Sequence, residues 1–434
     1  MKTLILDGSH ANDALGGRIA AALQANLDSC GWTSETISLR EKKIGNCAGD
    51  FFCWTRNPGV CNVDDDNRDI AEKLIQTDLV IYLSPVTFGA TSSMLKRMMD
   101  HQVQNLSPFF TTINGETHHQ KRYAAYPRVL TIGWLDAPHA DAESIFRHLA
   151  FRNAINMHAS SNVCGIAYKT QSDSELSDSL QHSLYQIERC HRDPEPALPA
   201  LNISSAEQTL VRRALLLVGS PRTRKSSSAS LGEYLFEQMN QRGVETETIY
   251  LYTSLNSRER MDKMYAALDT ADLVVLAFPL YVDSLPAPVL SDLEKIALHR
   301  AQKPTSARFA AIANCGFPEA HHNATALAVC AEFAHSAGFE WMGSLSLGGG
   351  QGMVNGIPLK ELDGRAIPIR QSLDLAAEAL ASGSPIPEAA RAKLAKLSIP
   401  NWLYKFFGSW GWKQTAKGYG AQNHLRSRPY LTQQ

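Results

Sequence analysis

"IAEKLIQTDLVIYLSPVTF" (residues 70–88) and "MYAALDTADLVVLAFPLYV" (residues 264–282) follow one plan, 194 residues apart. Each reads as a helix end, then Asp-Leu-Val, then an apolar run, then a proline loop. An apolar run without alternation suits a strand buried on both faces, as in a parallel sheet. Working outward, "KTLILDG" (2–8) and "RALLLVG" (213–219) are short apolar runs that both continue into Gly-Ser. Apolar residues at helical spacing follow: Ile19, Leu23 and Leu27 in one copy, Leu231, Leu235 and Met239 in the other. "TSETISL" (33–39) and "ETETIYL" (245–251) alternate as strands near a sheet edge do. "RVLTIGW" (128–134) with "RFAAIAN" (308–314), and "NVCGIAY" (162–168) with "WMGSLSL" (341–347), complete five strands per copy. Strands alternating with helices predict two parallel sheets covered on both faces.

The repeat divides the 434 residues into domains at 1–168 and 209–384. Between them, 169–208 reads as a polar helix and a linker with Pro194, Pro196 and Pro199; 385–434 is a separate tail. The first copy carries about 17–18 extra residues after its second strand, and three cysteines fall there. The 42 Lys+Arg against 43 Asp+Glu leave no basic surplus, which argues against nucleic acid as the partner. No apolar stretch is long enough to span a bilayer, and the start lacks a signal-peptide pattern. A soluble cytoplasmic protein is expected, in which eight cysteines do not form a disulfide framework.

In such sheets ligands bind outside the carboxyl ends of the strands, where strand order reverses. The second copy's first loop, "GSPRTRKSSSASL" (219–231), offers Ser220, Arg222, Ser226, Ser227 and Ser228 where a helix begins. Hydroxyls, helix N–H groups and a guanidinium make a phosphate cradle, although serines also serve as plain caps. The first copy offers Ser9 and Asn12, but Asp13 would repel a phosphate. The third loops hold Pro85, Val86, Thr87 and Phe88, and Pro279, Leu280, Tyr281 and Val282. Their aromatics could stack on a flat ligand or simply cover the sheet end. Cys315 and Gly316 open the fourth loop of the second copy. No catalytic residue is assigned; His118 and His119, in "GETHHQKRY", and His322 are the candidates.

These loops together resemble the flavodoxin-like superfamily, and within it the NAD(P)H-dependent FMN reductases, iron–sulfur flavoproteins and quinone reductases. "GSPRTRKSSSASL" resembles the family's FMN-phosphate loop, and "SPVTFGATSSMLKRMMD" its isoalloxazine loop, with Thr87 where an aromatic is usual. The resemblance implies two doubly wound sheets of strand order 2-1-3-4-5. It also implies FMN as cofactor, NAD(P)H as co-substrate, a small-molecule electron acceptor, and a homo-oligomer. The same resemblance reframes "IGNCAGDFFCWTRNPGVCNVDDD" (44–66). Iron–sulfur relatives carry C-x-x-C-x-x-C and a fourth Cys; here Cys47, Cys53 and Cys61 match three positions and Asp50 stands at the other. A cluster, a zinc ion and an inert loop all stay open, and no metal is favoured. Flavin reduction by NAD(P)H is the expected activity. The alternatives are a flavodoxin-like electron carrier, an iron–sulfur flavoprotein, or a chain in which one domain has lost its flavin. The tail, "IPNWLYKFFGSWGWKQTAKGYG" (399–420), sets aromatics among lysines, as a membrane-surface or partner segment would; its glycines and lack of helical periodicity favour a strap across the two domains or at a subunit interface.

Overall fold

The computed structural model describes residues 1–203, 209–254, 257–396 and 399–431. Residues 204–208 of the expected linker, and 397–398 and 432–434 of the expected tail, lie outside these. The chain divides into two compact units, Met1–Leu198 with Lys405–Gln434, and Pro199–Tyr404.

The first unit contains β1 (Lys2–Asp7), β2 (Thr33–Ser38), β3 (Leu79–Pro85), a hairpin of β4 (Leu106–Ile113) and β5 (Glu116–Lys121), β6 (Arg128–Leu135) and β7 (Asn162–Tyr168). Its main sheet is parallel, in the order β2-β1-β3-β6-β7. The second unit contains β8 (Arg213–Val218), β9 (Glu245–Tyr250), β10 (Leu273–Pro279), β11 (Arg308–Asn314) and β12 (Glu340–Leu347). It repeats the arrangement as β12-β11-β10-β8-β9. Both units therefore have the flavodoxin-like order.

Sequence explains position. The central strands β3 and β10 are buried from their first residue to the one before Pro, whereas the edge strands β2 and β9 are exposed or half-buried except at Ile37 and Ile249. Along β1, Leu4 and Leu6 join Val80 and Tyr82 in one core, while Ile5 joins Leu79, Ile81 and Leu83 in the other. That is the period-two alternation of a strand with two covered faces.

Three features were not expected. The β4–β5 hairpin, antiparallel and apart from the main sheet, is an addition to the first unit. Its trace in sequence is the drop in repeat offset from 194 to 180 between the third and fourth matched pairs. The helix Asp173–Glu188 is not a free connector: Leu176, Leu180, Leu184 and Ile187 pack into the first unit's core, behind a Ser172–Glu175 capping box. Burying four such side chains contributes roughly 1.5–3 kcal/mol each. The tail forms the helices Glu388–Ala395 and Asn401–Lys417, correcting the strap reading. Its aromatics Trp402, Phe406 and Trp410 recur every four residues, a helical stripe despite the glycines. Gly408 is required because a Cβ there would lie 2.7 Å from Phe110 Cε2. Beyond it, Tyr430 joins the first unit's core, and buried Arg122 donates to the carbonyls of Leu425 (3.2 Å) and Ser427 (2.7 Å). Among the described residues, no helix is long and apolar enough to cross a membrane.

Candidate functional site

In the second unit β8 ends at Val218, and the Gly219 N–H donates to the Ala277 carbonyl at 2.8 Å. A Cβ at Gly219 would sit 2.6 Å from Val289 Cγ2, so the turn admits no side chain. The loop exposes Arg222, Arg224 and Lys225 and contains no carboxylate before the helix Ser227–Asn240. Ser226 caps that helix: its Oγ accepts from Ala229 N (3.1 Å) and donates to the Thr223 carbonyl (2.6 Å). The Ser227 hydroxyl donates to the Gly350 carbonyl (3.0 Å), and Ser228 Oγ accepts from Asn314 Nδ2 (2.9 Å). Ser220 is buried at the strand exit. The fold gathers all four serines, but two direct their protons at backbone carbonyls. An anion here would meet the first N–H groups of the helix, its dipole and Arg222.

After β10, the Leu280 N–H donates to the Asn314 carbonyl (2.8 Å), and Tyr281 and Ser284 exchange N–H donations at 2.9 and 3.1 Å. Val282 and Asp283, between them, have φ of 46° and 54°. The first unit repeats this turn without repeating its residues. Val86 N–H donates to the Trp134 carbonyl (3.0 Å), Thr87 and Ala90 exchange donations at 2.8 Å, and Phe88 and Gly89 have φ of 53° and 78°. A β-branched residue at positive φ is strained by roughly 1–3 kcal/mol, and such strain gathers at ligand sites. Pro85 and Pro279 end their strands just before the turns.

The fourth loop holds a residue absent from the sequence candidates. Buried Asn314 donates from Nδ2 to both Ser228 Oγ and the Phe278 carbonyl (3.1 Å), tying the ends of β10 and β11 to the start of the helix after β8. Cys315 faces inward: its thiol lies 3.3 Å from the Phe317 carbonyl and 3.5 Å from that of Glu319, and burial pushes it up to about 12. The Gly316 carbonyl accepts from the Tyr404 phenol, and burial raises that phenol above its ordinary range. His322 is buried against the rings of Phe317 and His321, with Nε2 3.5 Å from Glu319 Oε2.

In the first unit the equivalent first loop is filled by its own carboxylates. Asp13 caps the helix Ala14–Ser29 by accepting from Gly16 N (2.8 Å), and its second oxygen accepts from the Trp134 indole (3.0 Å). Ser9 donates from N (2.9 Å) and Oγ to Asp7, which also faces Arg40 at 3.4 Å. Asn12 lies exposed at φ 63°.

The family description "NADPH-dependent FMN reductase" matches residues 1–163 and 212–352. The chain belongs to the NADPH-dependent FMN reductase family. An iron–sulfur flavoprotein of Methanocaldococcus jannaschii is 39% identical over 70 residues, 16% of this chain and 35% of that protein. One from Methanosarcina thermophila is 29% identical over 85 residues, 20% of this chain and 43% of that protein. The chain thus spans less than half the length of these relatives. Among solved structures, an NAD(P)H:quinone oxidoreductase from Methanothermobacter marburgensis aligns at 15% identity with a TM-score of 0.30, over 40% of this chain and 96% of that one. An FMN-dependent NADH-azoreductase from Bacillus anthracis, in complex with FMN, aligns at 14% identity with a TM-score of 0.28, over 39% and 99%.

For a member of the FMN reductase family, the two first loops are unequal. The second unit's loop suits a phosphate. In the first, the Asp13 carboxylate already takes the helix N–H and would face a second anion. His118 and His119 lie elsewhere: His118 Nδ1 is 2.9 Å from Asn156, the last residue of the helix Ala140–Asn156. That helix runs back from the carboxyl end of β6, so these histidines sit at the opposite edge of the sheet from the loops. His119 packs on Trp54 (4.5 Å) and Phe110 (5.3 Å), and burial lowers it to about 3. The unfolded chain therefore binds this proton at a higher pH than the folded one. Stability contributed above pH ~6.5 is lost as pH falls towards 3. His119→Phe should flatten the fall of melting temperature over that window; an unchanged profile would place the acid sensitivity elsewhere.

The expected cysteine loop is a cluster in the fold. Cys53 is buried and Cys47 and Cys61 are half-buried. Burial pushes Cys47 up to about 12, with Asp100, Cys61 and Asp50 adding to it, and raises Cys53 well above its ordinary range. Asp50 is exposed, and its Oδ1 accepts from Phe52 N at 3.0 Å. The sequence reading missed His101, whose Nδ1 lies 3.6 Å from Cys61 Sγ. Burial disfavours charge on His101, but Cys61 and the Gly45 carbonyl outweigh it and raise the imidazole.

Proposed function

We propose that this protein is an NAD(P)H-dependent FMN oxidoreductase with its flavin in the second unit, passing electrons to a quinone, flavin or similar small acceptor. The observation that carries this is the carboxylate-free, cationic loop Gly219–Ser226 opening the helix Ser227–Asn240, beside the strained turn Tyr281–Ser284. On this reading the N–H groups of Ser227 and Ser228 and the Arg222 guanidinium hold the phosphate. Ser226 keeps the helix end in place, and Asn314 holds loops one, three and four in register. Pro279, Leu280, Tyr281 and Val282 present backbone and one aromatic ring to the flat part of the ligand, with Gly316 opposite. Bound FMN supplies a two-electron carrier that takes hydride from a nicotinamide and returns electrons to the acceptor. With both bound, these loops would hold the donor against the ring and orient it for transfer. On this reading Tyr404, which donates to the Gly316 carbonyl, would border this edge.

Cysteine and histidine do no proton work in this scheme: Cys315 and His322 pack within their own loop. The first unit keeps the ring-side turn but carries a carboxylate where phosphate would sit, so one flavin per chain is the expected content. A homo-oligomer, as in the resemblance, remains part of the proposal. Anaerobic mixing with NADPH should bleach the flavin within the time of steady-state turnover. Flavin that stays oxidised with both NADPH and NADH, yet accepts electrons from dithionite, would replace the reductase by an electron carrier.

A further inference from the structure

We propose that the outer face of the helix Asn401–Lys417, in its part from Lys405 onward, docks on an anionic lipid surface. The inference does not depend on where the flavin binds. This part of the helix has two unlike sides. Inward, Trp412 packs on Phe51 (5.2 Å) and Trp54 (5.1 Å), Gly408 lies against Phe110, and Ala416 is buried with Phe109, Ala421 and Leu425. Outward, Phe406, Phe407 and Trp410 are 64%, 55% and 57% exposed. Lys413 and Lys417, also exposed, come next. At 3.6 residues per turn, Phe406, Trp410, Lys413 and Lys417 fall within about 60° of arc. Three large rings side by side form a patch rather than scattered surface residues. Rings followed by ammonium groups on one face are the composition of a helix that lies in a membrane interface.

Charge identifies the occupant. From Lys405 to Gln434 the sequence has five Lys or Arg and no Asp or Glu, although the whole chain is close to neutral. Lys413 and Arg426 both lie over the Phe109 ring, at 5.9 and 5.1 Å, so exposed cations gather at this end of the helix. The ion pairs of the first unit, such as Arg40–Asp7, Arg68–Asp64 and Lys73–Glu35, involve none of them. Among the described residues, Lys413, Lys417, Arg426 and Arg428 pair with no carboxylate. Anionic headgroups over acyl chains match both features: the rings enter the boundary and the cations meet the headgroups. A second copy docked on the same patch would bring cation against cation, which is unfavourable. A single-stranded nucleic acid is held in a charged groove that tracks its backbone, and a convex helix face offers none.

The test is co-sedimentation of the full chain with vesicles of phosphatidylcholine alone and of an equal mixture of phosphatidylcholine and phosphatidylglycerol. The protein should bind the mixed vesicles, bind phosphatidylcholine far more weakly, and be released as salt is raised. Lys413→Gln with Lys417→Gln should weaken binding by about 25-fold, at about fivefold per charge. Phe406→Ser with Trp410→Ser should weaken it by about tenfold or more, because two large rings leave the acyl boundary. These side chains point away from the core, so both double variants should keep the wild-type melting temperature. The wild-type arms decide the question even where a variant is less stable. Wild-type protein that binds neither vesicle, or both equally, overturns the proposal, as does binding that survives both double substitutions. Sedimentation velocity and a labelled oligo-dT test the other occupants. An oligomer that Phe406→Ser with Trp410→Ser reduces to monomer, without vesicle binding by wild type, assigns the face to a second copy. Oligonucleotide binding without vesicle binding assigns it to nucleic acid, and either result overturns the lipid surface.

Discussion

Ser226→Asp should empty the second unit of FMN while leaving its helix capped. Aspartate is as good an N-cap as serine, and Asp13 performs that role in the first unit. The cap is therefore preserved; besides adding charge, the change removes the hydroxyl's donation to the Thr223 carbonyl, a local effect that the riboflavin control reads. A carboxylate about 4 Å from a phosphate, at an effective dielectric near 20, costs about 4 kcal/mol before salt screening. That corresponds to roughly 100- to 1000-fold in Kd. Fluorescence titration of flavin-free protein with FMN and riboflavin provides the internal control. FMN affinity should collapse while riboflavin, which lacks the phosphate, is held as before. Equal losses for both would mean the loop was deformed; no loss for either would remove phosphate from this loop. Asp13→Ser is the reciprocal experiment, and Trp134 would then lose its carboxylate partner.

Lys96→Met should destabilise the first unit by about 3–5 kcal/mol. Lys96 and Asp100 form an ion pair one helical turn apart, with side chains 1% and 2% exposed. Methionine matches the lysine stem but removes the ammonium, so the Asp100 carboxylate is left in a low-dielectric setting without it. The double change Lys96→Met with Asp100→Leu should recover most of the loss, because two apolar groups need no partner. Urea unfolding followed through Trp32, Trp54 and Trp134 reports on this unit. A single variant as stable as wild type would show that water reaches the pair. The helix carrying it, Ser93–Asp100, leads directly into His101, so the same change should loosen the thiol cluster.

The tandem fold was legible because buried parallel strands leave continuous apolar runs and both copies keep their order. The inequality of the two first loops was legible too, since Asp13 stands at a helix start and caps it. That the Trp134 indole would lock Asp13 in place was not, because the two meet only when β6 lies beside β3. His101 is forty residues from Cys61 in sequence, and no spacing rule connects them. Asn314 and Tyr404 were missed for the same reason: their partners come from distant parts of the chain. The tail was misread because glycine was weighed above the four-residue recurrence of its aromatics, and Gly408 is demanded by the Phe110 ring.

The first unit is completed by residues that follow the second in the chain, with Leu425, Ser427 and Tyr430 closing over Arg122 and the core. At about 5–20 residues per second, roughly 10–40 s of translation separate the two parts. During that interval the nascent first unit has every strand of its sheet, yet Arg122 has no carbonyls from Leu425 and Ser427 to meet. The second unit has no such wait, as it is one contiguous segment, Pro199–Tyr404. Birth order and maturation order are therefore reversed: the unit made second is the first that can finish.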